Sequence, residues 1–70
     1  MMPLTLADAG ETYTILKIGG KPEVRAHLKD LGFVPGGEVR VITDMMGNLI
    51  VNVKETRVAI SQEMAARIMV

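Results

Sequence analysis

Polar and apolar residues alternate along much of this chain, in short runs separated by glycine, proline and small polar residues. The clearest run is Glu38-Val39-Arg40-Val41-Ile42-Thr43, which predicts a strand with Val39 and Val41 turned to a core. Thr12 to Ile18, Leu49 to Val53, Arg57 to Ile60 and Ile68 to Val70 read the same way, for five short strands. In the first of these, Thr14, Leu16 and Ile18 suit a core better than Tyr13, Ile15 and Lys17. Asp44-Met45-Met46-Gly47-Asn48 reads as a hairpin loop, with Gly47 and Asn48 available for positive φ, and Glu55-Thr56 as a tight turn.

The period changes once. Val24, Leu28 and Leu31 fall at i, i+4 and i+7, one face of a helix that Pro22 opens and Gly32 ends. Two shorter helical turns are predicted. Thr5-Leu6-Ala7-Asp8 has the spacing of a helix start that Gly10 stops, and Ser61 is placed to cap a turn running through Ala66. The segment Leu28 to Gly36 is the most informative of all. Leu28 and Leu31 supply the last apolar turn, Gly32 a left-handed cap, and Pro35-Gly36 the centre of a type II turn that aims the next strand. So many short strands leave edges that need protection, and a small, strongly bent barrel does this best. The fold class predicted is mostly β with small α: an SH3-like β-barrel of about five strands, with a helix inserted after the first.

Seventy residues make a single domain, 1–70, with a narrow stability margin. The chain has no cysteine, hence no disulfide and no thiolate metal site. Tyr13 and Phe33 are its only aromatic residues, so the core is built from Val, Ile, Leu and Met, with Phe33 filling it. Eight basic residues balance eight acidic ones, which argues against nucleic acid as the partner. Lys17, Arg40, Lys54 and Arg57 are the cations that one barrel face would gather. Without aromatics for stacking, a mixed solvated face is the reading preferred. The longest uncharged stretch, Met45 to Val53, is far too short to cross a bilayer. With no leader-like start, the chain reads as soluble and intracellular.

Little in the sequence carries chemistry. Gly19-Gly20-Lys21 precedes a helix, yet Ile15 and Pro22 occupy positions where a phosphate loop needs glycine and Ser/Thr. The lone serine, Ser61, serves as a helix cap, and there is no nucleophile–base constellation, so the chain reads as a non-enzyme without a cofactor. Glu23, His27 and Asp30 share a helix edge and are the candidates for a divalent metal. With a single histidine and no cysteine, ordinary charge pairing on a solvated edge is the preferred reading, and no metal site is assigned. Met45 and Met46 stand out instead. Flexible thioethers at a polar hairpin tip suit an adaptable protein contact, unless one folds back to plug the barrel end.

The run Leu28-x-x-Leu31-Gly32-Phe33-x-Pro35-Gly36, followed by an alternating strand, resembles the ferrous-iron transport protein A (FeoA) family. The Gly47 hairpin, the Val58-Ala59-Ile60 strand and the closing Ala65/Ala66-x-Ile68-x-Val70 also look like that family, so the likeness runs from about Thr5 to Val70. The same domain resembles the C-terminal module of iron-dependent transcriptional repressors, whose other domains have no room here. The resemblance implies a cytoplasmic accessory protein of bacterial ferrous-iron uptake, acting with FeoB, a membrane transporter that bears a GTP-binding domain. On that reading Met45, Met46 and a nearby Arg40 are expected to contact the partner. The alternatives are a small nucleic-acid-binding barrel and a direct ferrous-iron carrier through Glu23, His27 and Asp30. Pairing of copies through open strand edges is a further expectation.

Overall fold

The strongest alternation in the chain builds the strongest sheet. The computed structural model describes Met1 to Val70. Its elements are β1 (Thr12–Thr14), β2 (Lys17–Ile18), α1 (Pro22–Leu31), β3 (Glu38–Met45), β4 (Asn48–Val53), β5 (Thr56–Ser61), α2 (Gln62–Ala65) and β6 (Ile68–Met69). An antiparallel meander of β3, β4 and β5 takes β1 along the free side of β3, giving the order β1-β3-β4-β5. β2 pairs with β6 in a second, two-stranded sheet. The architecture is the SH3-like one expected, open between its two sheets, and the strands number six because the first predicted strand divides.

That division has a traceable cause. Ile15 bonds through its backbone to the corner, N–H to Gly37 at 2.8 Å and carbonyl from Gly36 at 2.7 Å. Leu16 N–H already bonds the carbonyl of Met69 at 2.8 Å. The chain thus changes partners, from one sheet to the other, between two adjacent residues. Through Leu16 the facing is the reverse of that expected, with Ile15 buried and Thr14 and Leu16 exposed, whereas Ile18 packs against the core as expected.

Helix α1 runs as predicted, with Pro22 in its first turn. Gly32 ends it at φ 109°. Its N–H bonds the carbonyl of Lys29 at 2.9 Å, and Phe33 N–H reaches back to Leu28 at 2.9 Å. These two bonds, with buried Phe33 against buried Leu28, form a Schellman cap. The following turn is closed by Gly37 N–H to the carbonyl of Val34 at 3.0 Å, with Gly36 at φ 88°, as a type II turn requires.

Val39 and Val41 of β3, Leu49, Val51 and Val53 of β4 and Ile60 of β5 face inward, where Leu4, Ile15, Leu28, Phe33, Ala65 and Ile68 complete the core. Between Val41 and Thr43 the register against β4 slips by one residue, a bulge that bends the sheet over this core. Ser61 Oγ accepts from Met64 N–H at 3.2 Å and caps α2 as expected.

Three turn expectations need correction. The Thr5–Asp8 start is instead a 3₁₀ turn at Leu4–Leu6, without a side-chain cap. Fully buried Leu4 and the bridge from Pro3 to Met69 set its position. The first hairpin is tighter than a five-residue loop: Met45 still pairs with Asn48, and Met46-Gly47 form the turn at φ 52° and 81°. Likewise Lys54-Glu55 make the second turn, between paired Val53 and Thr56. Positive φ at both central residues is the geometry that matches strand twist in two-residue hairpins.

Candidate functional site

Three surface regions carry the residues that the sequence singles out. The first is the β3–β4 hairpin tip, where Met46 is 96% and Met45 57% exposed, so neither folds back as a plug. A turn of only two residues holds them at the end of paired strands. The charge beside them is Asp44, whose carboxylate accepts from Gln62 Nε2 at 3.1 Å.

Arg40 is not there. It lies five positions before Met45 along β3, about 16 Å away at strand rise, in a molecule whose longest extent is 28 Å. The expected grouping of Arg40 with the methionines fails because both belong to one extended strand. Arg40 instead lines a shallow polar groove with Thr12, Glu38, Asn52, Lys54 and Glu55. Register explains the groove: Thr12, Arg40, Asn52 and Arg57 are cross-strand neighbours on the sheet's outer side. Lys17 belongs to the other sheet, so the four predicted cations do not gather, and two carboxylates share the groove with those that do.

Glu23, His27 and Asp30 are all exposed on α1. No group of three or more His, Asp or Glu side chains is arranged to hold a metal ion anywhere in the chain. No helix is long and apolar enough to cross a membrane.

The third region was not predicted. An open cleft of about 490 Å³ lies between β2, α1 and the corner that follows the helix. Leu16, Ile18, Phe33, Val34 and Pro35 make its apolar walls, and Lys17, Arg25 and Lys29 its charged rim. The sequence does carry a trace of it, in the four-residue spacing of Arg25 and Lys29. That spacing gains meaning only once Leu16 is known to face outward.

The FeoA domain family model matches residues 2–70 of the chain. The chain is 31% identical over 70 residues to Fe(2+) transport protein A of Methanocaldococcus jannaschii, covering 100% of itself and 85% of that protein. A crystal structure of an iron uptake regulatory protein, FeoA, superposes with a TM-score of 0.90 at 31% identity, over 97% of this chain and 90% of that one. Stenotrophomonas maltophilia FeoA, crystallised with zinc, is described as a prokaryotic SH3 domain protein proposed to activate ferrous iron transport. It superposes with a TM-score of 0.78 at 25% identity, over 99% of this chain and 88% of that one. A match spanning all but the first residue, on the same corner, hairpin and closing strand that the sequence singled out, places this chain in the FeoA family of ferrous-iron transport accessory proteins.

Proposed function

We propose that this chain is a cytoplasmic accessory protein of ferrous-iron uptake that docks by protein–protein contact on a FeoB-type membrane transporter. Through that contact it acts on the transporter's GTP hydrolysis or assembly. The observation that carries the reading is the hairpin tip, where two adjacent methionines stand exposed at 57% and 96% on a two-residue turn. Apolar side chains held out on paired strands bind with little further ordering, and thioethers adapt to the surface they meet. Direct iron carriage has less support, because Glu23, His27 and Asp30 are exposed and no three such side chains converge on a metal position. A nucleic-acid role has less support too, since Glu38 and Glu55 stand among the cations of the outer groove.

The test is co-purification with the transporter from cells. Met45→Asp/Met46→Asp places charge at the contact and is expected to reduce recovery by about tenfold or more, the effect of losing roughly 1.4 kcal/mol. Undiminished recovery of the double variant sinks the hairpin assignment. Salt-sensitive retention of the wild-type protein on DNA or RNA columns sinks the adaptor reading itself.

A further inference from the structure

We propose that the cleft between β2, α1 and the Val34-Pro35 corner binds a short segment of a partner protein whose apolar side chains are flanked by carboxylates. The segment's apolar groups enter against Leu16, Val34 and Pro35, and its carboxylates meet Lys17, Arg25 and Lys29.

The argument begins with charge. The chain is formally neutral, with eight cations and eight anions, yet this cleft is lined by three cations and no carboxylate. The arrangement works against helix stability. Arg25 and Lys29 stack at i and i+4 on α1, where like charges cost a few tenths of a kcal/mol. Glu23 and Asp30 are on the same helix but do not line the cleft. None of the side-chain hydrogen bonds in the molecule engages Lys17, Arg25 or Lys29. Unneutralised cations on the rim of an apolar concavity focus their field into it and draw anionic groups from solution.

The floor then selects among anions. Leu16 is 52% exposed, held outward by the change of strand partners at Ile15. A hydrated inorganic anion gains nothing from Leu16 and Pro35. A flat bilayer meets the rim but not the walls. An extended peptide satisfies both, because successive side chains reach the floor and the rim in turn.

Who supplies the segment rests on the reading of this chain as a docking module, but the binding itself does not. The test therefore uses purified, nitrogen-15-labelled full-length protein and two synthetic peptides of equal length, one alternating Leu with Glu and one alternating Leu with Lys. The Glu peptide is expected to shift the amide signals of Leu16 to Ile18, Arg25 to Lys29 and Val34, and the Lys peptide to leave them in place. Arg25→Glu/Lys29→Glu is expected to weaken the Glu peptide by about tenfold or more, with the spectrum otherwise dispersed as in the wild type. Leu16→Ser is expected to weaken it without altering its salt dependence. Met45→Asp/Met46→Asp is expected to bind the peptide normally, even where it abolishes transporter recovery, so the two readings fail separately. Equal binding of both peptides, shifts confined to other residues, or unchanged affinity in the charge-reversed variant overturns the proposal. So does a response of these amides to phosphatidylglycerol vesicles but not to the Glu peptide, which assigns the cleft to a membrane surface.

Discussion

Met46, Lys54 and Glu55 hold φ at 52°, 49° and 63°, conformations that a side chain makes unfavourable by about 1–2 kcal/mol and that asparagine tolerates better. All three lie in two-residue turns fixed by the pairing of Met45 with Asn48 and of Val53 with Thr56. Met46→Asn is accordingly expected to raise the free energy of unfolding by about 0.5–1 kcal/mol, read as a higher urea midpoint at unchanged slope. The same substitution removes the most exposed thioether, so recovery of the transporter is expected to fall while stability rises. A lower midpoint would show that the turn is not strained at Met46. Gly32 presents the opposite case. A Cβ there meets Lys54 Cδ and Val53 Cγ2 only at 3.6 Å, ordinary contact, so crowding is not the issue. Its φ of 109° is the issue, and Gly32→Ala is expected to lower stability by about 1–2 kcal/mol in the same titration. Gly32 and Pro35-Gly36 were legible in the sequence because each residue dictates its own dihedral. Met46, Lys54 and Glu55 were not, because their dihedrals are imposed by the register of the strands on either side.

At the scale of elements, period-2 reading worked where a strand keeps one partner and failed where it changes partner. Val39 and Val41 face the core as predicted, since β3 lies between β1 and β4 along that stretch. Thr12 to Ile18 alternates just as plausibly on paper, but the backbone passes from the Gly36-Gly37 corner to Met69 at Ile15 and Leu16, so no single alternation spans the run: Ile15 and Ile18 turn inward while Leu16 and Lys17 are exposed. The basic cleft was hidden for that reason, and because its residues come from segments at 16–18, 25–29 and 33–35. The hairpin methionines stood out in the sequence, but their exposure was decided only by the two-residue turn that keeps either from folding back. Arg40 was misplaced because proximity in sequence along a strand is distance in space. The basic edge of α1 makes a prediction of its own. Arg25→Glu places a carboxylate four residues before Lys29, turning a repulsive pair into an attractive one. Stability is expected to rise by a few tenths of a kcal/mol, measured by thermal melting at low salt, while affinity for the acidic peptide falls. Opposite signs for fold and binding would mark the Arg25–Lys29 pair as a feature of the cleft; parallel losses would mark it as a support of the helix.

For the whole molecule, closure depends on the last three residues more than on the barrel expectation suggested. Ile68 is fully buried, β6 is the only strand partner of β2, and Met69 also bridges Pro3. Met2 and Val70 exchange backbone hydrogen bonds at 2.9 and 2.8 Å, so the two ends of the chain are tied to each other and through β2 to the helix. A single buried isoleucine contributes about 1.5–3 kcal/mol and each of these backbone bonds about 0.5–1.5 kcal/mol. Against them stands a total of about 4–10 kcal/mol for a domain of this length, at roughly 0.05–0.15 kcal/mol per residue. Removing Ile68 to Val70 therefore takes away most of what holds the domain folded, although β3, β4 and β5 keep every one of their mutual pairings. A chain ending at Arg67 is expected to lose its cooperative thermal transition in circular dichroism and the dispersion of its amide spectrum. A truncated chain that still melts cooperatively, within a few degrees of the full one, would show that the four-stranded sheet folds alone and that β2 and β6 are added to it. In that case the cleft beside β2 would lose its rigid wall while the methionine hairpin kept its presentation, and transporter recovery would survive a deletion that abolishes peptide binding.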